Sequence, residues 1–248
     1  MSSKHPQKIM AKPQRQIIAM GGGGFSMELD NLLLDRYILK QSPSTTPKIC
    51  FLPTASGDSD RYITRFYSAF TQLDCKPSHL SLFRPPLEGP TSFIQEQDII
   101  YVGGGNTFNM LAIWRAWQLG DVLRQAWNRG TVLCGLSAGS MCWFEEGLSD
   151  SVLPSQYDRL SALGFLSGSH CPHYDGERQR RPIYQQQIKE GRISSGIAAD
   201  DGVALHYIED ELSKIVSSRP AAKAYRVYLT NQKLKEESIL PHYLGEKG

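Results

Sequence analysis

Residues 131–140 read Thr-Val-Leu-Cys-Gly-Leu-Ser-Ala-Gly-Ser, so a short apolar run ends in Gly135-Leu136-Ser137-Ala138-Gly139. This is a G-x-S-x-G sequence placed where a buried strand would stop. A serine on a sharp strand-to-helix turn needs a small residue two positions to either side, because side chains there would collide with the neighbouring strand or with the turn. Such a turn pushes the Ser137 hydroxyl out of the sheet edge and aims the following backbone N–H groups at the same point. The chemistry it serves is attack on a carbonyl carbon. A glycine-rich loop with an incidental serine is the plain alternative. The apolar run before Ser137 and the helix start after it favour a nucleophile.

A serine nucleophile requires a base, usually histidine, and a group that fixes the tautomer of that base. His170, His173 and His206 are the candidates, since His5 falls in the N-terminal tail and His79 precedes the strand that carries a glycine turn. His173 sits in Cys171-Pro172-His173-Tyr174-Asp175, just past an apolar run, where a strand end would face the active edge. His206 follows Ala204-Leu205, as a packing residue at a strand terminus would. Asp150, Asp158, Asp175, Glu145 and Glu146 are the carboxylates in reach along the chain. Asp150 belongs to a segment, 147–151, that reads as a loop after the helix opened by Ser137.

The Ala138 N–H is a natural donor to a tetrahedral oxyanion, and losing one such donor costs roughly 3–4 kcal/mol. The turn Gly103-Gly104-Gly105-Asn106-Thr107 can present a second donor, with Asn106 beside it as a candidate substrate contact. Phosphate cradling is the other use of such turns. Neither this turn nor Gly21-Gly22-Gly23-Gly24 completes G-x-G-x-x-G, because Ser26 stands where the third glycine would be, and no Gly-Lys-Ser/Thr follows. His170, Cys171, His173 and Asp175 could instead ligate a metal, but they lack a second cluster and enclose a proline. No metal or other cofactor is expected. Arg178, Arg180 and Arg181 form either a solvated face or a source of one guanidinium for a substrate carboxylate, which suits bidentate recognition.

The elements that would position these residues alternate short apolar runs with amphipathic stretches. Strands are expected at 17–20, 49–53, 78–83, 99–102 and 131–134, and helices at 29–39, 59–73, 108–117 and 121–128. This rhythm predicts parallel strands with crossover helices, covered on both faces, with the chemistry at the carboxyl ends of the strands. Beyond residue 150 a strand is expected at 164–173, a helix at 177–190, a strand, turn and strand over 197–205, and a last strand at 225–229. These would extend the same sheet or add an antiparallel edge. Residues 1–14 read as a loose tail before a single α/β domain over 15–248.

The 248 residues are 40% hydrophobic and 21% charged, enough for a sizeable core. With 27 basic against 25 acidic side chains, a net charge of +2 gives no reason to expect nucleic acid or an anionic membrane as partner. Five cysteines without framework spacing point to a reducing cytoplasm. No apolar stretch is long enough for a spanning helix, and residues 1–16 lack the apolar segment of a signal peptide. A homodimer is compatible with the sequence but not indicated by it.

Val102-Gly103-Gly104-Gly105-Asn106-Thr107-Phe108, then Gly135-Leu136-Ser137-Ala138-Gly139, then Pro172-His173-Tyr174 resemble the peptidase E (aspartyl dipeptidase) and cyanophycinase family of serine peptidases, in order and approximate spacing. The resemblance spans residues 16–210. It implies a class I glutamine amidotransferase-like fold, a flavodoxin-like three-layer sandwich whose mostly parallel sheet has helices on both faces. It further implies Ser137 as nucleophile, His173 as base, Gly104 or Gly105 with Ala138 as oxyanion hole, and Asp150 as the acid. Arg178, or Arg181, would hold a substrate aspartate. The implied activity is hydrolysis of small peptides with N-terminal aspartate, or of the aspartate–arginine polymer cyanophycin. Two rivals stand beside it. An α/β-hydrolase esterase shares the serine turn, but its histidine usually lies much further along than the 36 positions that separate His173 from Ser137. A non-catalytic, ligand-binding relative would keep the fold without a working triad.

Overall fold

The computed structural model describes residues 14–85, 87, 89–153 and 156–245. Apart from Gln14, the expected tail lies outside the described residues. The first half alternates as the apolar runs require: β1 (Gln16–Met20), α1 (Gly24–Met27), α2 (Leu33–Leu39), β2 (Lys48–Leu52), α3 (Asp60–Phe70), β3 (Lys76–His79), α4 (Pro90–Gln95) and β4 (Ile99–Val102). Then come α5 (Thr107–Ala116), α6 (Leu119–Asn128), β5 (Val132–Leu136) and α7 (Ala138–Met141). Strands β1, β5, β4, β2 and β3 are parallel neighbours in that order, and β4 and β5 are buried along their whole length. Continuous burial of this kind is what parallel strands covered on both faces show.

The second half holds β6 (Phe144–Leu153), β7 (Gln156–Ser161), β8 (Leu166–Cys171), α8 (Arg180–Lys189), β9 (Gly196–Ala199) and β10 (Val203–Ile208). It ends in β11 (Glu211–Ser217), β12 (Ala224–Thr230), β13 (Lys233–Ile239) and β14 (His242–Tyr243). As expected, part of it extends the first sheet by an antiparallel edge: β10 pairs with β1, Met20 opposite Ala204, and β11 pairs with β10. The remainder builds a second sheet in the order β13-β12-β9-β8-β6-β7, which the sequence reading does not foresee. Residues 147–151, expected as a loop, lie inside β6, whose partners are β7 and β8.

Three apolar layers hold the fold. On one face of the main sheet Ile18, Phe51 and Tyr101 pack with Phe25 of α1 and with Phe66 and Phe70 of α3. On the other face Ile17, Leu52, Val102 and Leu133 pack with Trp114 of α5, Trp127 of α6, and Trp143, Phe144 and Leu166 at the second sheet. The far side of that second sheet is closed by Tyr184 and Ile188 of α8 against Leu148, Cys171 and Val227. Among the described residues no helix is long and apolar enough to cross a membrane.

Candidate active site

Strand β5 lies between β1 and β4, so the turn after β5 is flanked by the glycine turns that follow its two neighbours. All three gather at the carboxyl edge of the sheet, where open parallel sheets place their chemistry. At the end of β5 Ser137 has φ 56° and ψ −118°. A non-glycine residue held there costs of order 1–3 kcal/mol, and such strain clusters at functional sites. The flanking glycines are sterically required: a Cβ on Gly135 would lie 2.3 Å from the Gly139 carbonyl oxygen, and one on Gly139 would lie 2.2 Å from that of Val102. The Ser137 N–H donates to the Met20 carbonyl at 3.2 Å, while its half-buried hydroxyl has no hydrogen-bond partner among the described residues.

His173 lies two residues past the end of β8, also at positive φ, 54°. Its backbone N–H donates to the Gly21 carbonyl at 3.2 Å, so Ser137 and His173 hang from consecutive carbonyls at the end of β1. The imidazole Nδ1 is 2.6 Å from Asp201 Oδ1. Asp201 stands in the turn between β9 and β10, where its N–H donates to Asp175 Oδ1 at 2.8 Å. Burial pushes the Asp201 carboxyl up, but the hydrogen bond and charge of His173, with the charge of Arg219, outweigh it and hold the group below the ordinary aspartate range. Gly22 makes room for this pair: a Cβ there would fall 2.1 Å from Asp201 Oδ1 and 2.9 Å from the His173 ring.

The structure thus corrects the expectation for Asp150. That residue is exposed on β6, and its carboxylate has no hydrogen-bond partner among the described residues, because the segment is a strand rather than a loop folding back to the histidine. Its neighbours do the inward work: Ser151 Oγ accepts the Thr107 N–H at 3.0 Å, and the Ser151 carbonyl accepts from Asn106 Nδ2 at 2.8 Å. Asn106 Oδ1 accepts the Asn109 N–H at 2.8 Å, capping α5. Both ends of the Asn106 side chain are therefore used internally, and it buttresses the glycine turn instead of facing a substrate.

Of the backbone donors, those of Ala138 and Gly105 are not taken up by any described residue. The Gly104 N–H donates to the Tyr62 hydroxyl at 3.2 Å. His170 is buried, with Nδ1 2.9 Å from the Ile197 carbonyl and Nε2 3.1 Å from Ser140 Oγ, and burial drops its pKa to about 4. Ser140 Oγ in turn lies 2.8 Å from the Ser137 carbonyl, so His170 supports the serine turn from behind. His206 sits between Tyr37 and Gln16, away from the turn.

The three arginines separate. Arg178 lies in the turn before α8, which starts at Arg180 and not at residue 177, and is exposed without a partner among the described residues. Arg181 is ion-paired with Glu236 and lies 4.8 Å from the Tyr225 ring centre. Arg180 is buried, 2.7 Å from Glu177 Oε2. Among the described residues no group of three or more His, Cys, Asp or Glu is arranged to hold a metal ion.

The model of peptidase family S51 matches residues 17–215, a span that holds the three turns, His173 and Asp201. The chain belongs to peptidase family S51. It is therefore a serine peptidase, and the esterase and non-catalytic readings give way. This S51 peptidase is 59% identical over 231 residues to the uncharacterized peptidase YgaJ of Bacillus subtilis, covering 93% of this chain and all of that one. It is 26% identical to a peptidase E of Shewanella denitrificans, across 70% of this chain and 77% of the relative. In fold it is similar to the crystal structure of a peptidase from an acI-B1 actinobacterium (TM-score 0.64, 17% identity, 92% of this chain and 98% of that one). A putative peptidase E from Listeria monocytogenes is also similar (TM-score 0.57, 16% identity, 91% and 99%). Within the S51 chain, the residue that sequence reasoning missed is Asp201. Its signal is an Asp-Asp-Gly turn directly after a buried strand, twenty-eight residues past the histidine it serves.

Proposed function

We propose that this S51 peptidase is a dipeptidase for small peptides with N-terminal aspartate, working through Ser137, His173 and Asp201. The observation that carries the reading is the seat of His173, bonded through Nδ1 to Asp201 and hung beside the strained Ser137 turn. Asp201 holds the Nδ1–H tautomer, which leaves Nε2 free to take a proton. The Ser137 hydroxyl proton passes to Nε2 as Oγ bonds to the scissile carbonyl carbon. The undonated N–H groups of Ala138 and Gly105 stabilise the oxyanion. When the C–N bond breaks, His173 returns the proton to the leaving amine. A water then gives a proton to Nε2 and its oxygen to the acyl carbon; as the bond from that carbon to Oγ breaks, Nε2 passes the proton to Oγ, releasing the product acid and restoring Ser137. The free Ser137 hydroxyl is consistent with this, since catalytic hydrogen bonds are often long before substrate arrives. Relatives named peptidase E and the sequence resemblance support the aspartyl dipeptidase reading. The five free cysteines support a cytoplasmic location.

A fluorophosphonate probe should label the wild-type protein and not Ser137→Ala, and Asp-Leu should be cleaved faster than Asn-Leu or Ala-Leu. Absence of labelling, or equal labelling of Ser137→Ala, removes the serine mechanism. Equal cleavage of the three dipeptides removes only the aspartyl preference.

A further inference from the structure

We propose that the cavity between α1 and α3 is a carboxylate-binding subsite of this peptidase, with Arg61 and Arg65 as its cationic groups. The proposal rests on the dipeptidase reading and adds to it where a substrate carboxylate binds. The cavity, of about 230 Å³, is lined by Ser26, Ser59, Arg61, Tyr62 and Arg65, with no acidic residue in its wall. Arg61 and Arg65 are four apart on α3 and so share one helix face, where like charges repel mildly. Arg15, Arg159, Arg180, Arg181, Arg192 and Arg219 are paired with carboxylates. Arg65 donates only to the Ser26 carbonyl, at 2.7 Å, and Arg61 has no partner among the described residues.

The cavity also touches the site. The Tyr62 hydroxyl accepts the Gly104 N–H at 3.2 Å and donates to Ser26 Oγ at 2.8 Å. Gly104 in turn borders the serine, since a Cβ on it would lie 3.2 Å from Ser137 Cβ. Two unpaired guanidiniums in a small cavity, one hydrogen-bonded residue from the serine turn, suit the planar two-oxygen geometry of a carboxylate. Arg181, favoured by sequence, is less suited, because it is neutralised by Glu236. A dipeptide offers two carboxylates of the same chemistry, an acidic side chain on its first residue and the free terminus of its second.

The test is calorimetric titration of Ser137→Ala protein, with and without Arg61→Gln or Arg65→Gln, using Asp-Leu, Asn-Leu and Asp-Leu-amide. Thermal unfolding checks that each variant is folded. The expected result is that each arginine change weakens Asp-Leu binding at least tenfold. If the loss persists with Asn-Leu and vanishes with the amide, the terminal carboxylate is bound. The reverse pattern assigns the acidic side chain. Failure of Asp-Leu to bind Ser137→Ala, or equal binding with and without both arginine changes, overturns the proposal. Labelling of the wild type by fluorophosphonate is read separately, so a failed serine mechanism is distinguishable from a failed carboxylate subsite.

Discussion

Replacing Asp201 with asparagine removes a charge while nearly preserving shape, and its effect can be worked from the geometry. Asp201 Oδ1 lies 2.6 Å from His173 Nδ1, and both side chains are largely shielded from solvent. When His173 takes the Ser137 proton, the imidazolium gains a counter-charge about 4 Å away between charge centres. At an effective dielectric of about 20 this is worth about 4 kcal/mol. Losing 4 kcal/mol from the transition state slows the reaction about a thousandfold. An asparagine that turns its amide N–H toward Nδ1 does further harm, because it moves the ring proton to Nε2, the atom that must accept. The assay is the second-order rate of fluorophosphonate labelling at neutral pH, which needs no knowledge of the substrate. Asp201→Asn should label about a thousandfold more slowly, and Asp150→Asn within twofold of wild type. If Asp201→Asn stays within tenfold, or Asp150→Asn falls as far, Asp201 is not the partner of the base. The variant also carries a stability signature. The Asp201 carboxyl is held below its unfolded value of 3.8, so it stabilises the fold above that pH and ceases to as acidity approaches its folded value. The gap in unfolding temperature between wild type and variant should therefore be widest at neutral pH and close as pH falls below 3.8.

Three other outcomes follow from the same geometry. Gly105→Ala places a Cβ 2.2 Å from the Ala55 carbonyl oxygen at a φ of 141°, so the turn must shift, and labelling should slow by about a hundredfold without loss of the folded state; an unchanged rate would remove Gly105 from the oxyanion site. Asp35→Asn should be more stable than wild type above neutral pH and equal to it in acid. Burial raises Asp35 from 3.8 to about 7, outweighing the Phe25 N–H and the Tyr101 hydroxyl beside it, so wild-type stability falls across that window by up to about 4 kcal/mol. Unfolding temperatures of the pair across pH check this, and parallel curves would refute it. Arg180→Ala removes a buried guanidinium but leaves a partly exposed Glu177, so it should cost about 1–3 kcal/mol in denaturant unfolding, whereas exposed Arg178→Ala should change stability by less than about 0.5 kcal/mol.

The legible part of this fold is the part whose physics is local. Strands β1, β2, β4 and β5 announce themselves because burial on both faces demands unbroken apolar runs, and the glycines around Ser137 because a Cβ there meets backbone. Strand β13 is hidden for the opposite reason. It alternates exposed charges with half-buried residues, as in Lys233-Leu234-Lys235-Glu236, and its stability comes from pairing with β12. That hidden strand also misleads about Arg181, since Glu236, its partner, comes from it. Asn106 is a different case: an asparagine opening a helix has a local role, capping, that could have been read in place of substrate binding.

Asp201 is the instructive miss, because nothing near it in the chain says which histidine it meets. Ser137 is positioned by β5 in the first sheet and His173 by the end of β8 in the second. Asp201 belongs to the turn that carries the chain from β9 in the second sheet to β10 in the first. What brings it to His173 is the antiparallel register of β10 on β1, which lays the turn across Gly21 and Gly22, with the Gly202 N–H donating to the Gly22 carbonyl at 3.0 Å. The glycine run after β1, which fits no phosphate motif, has its physical reason here. It is the floor on which the histidine and the carboxylate meet, and side chains at Gly21 or Gly22 would hold the two sheets apart at that point. A search for the carboxylate along the chain stops at the nearest acids. A search for what an unexplained run of glycines must accommodate leads across the sheet to Asp201.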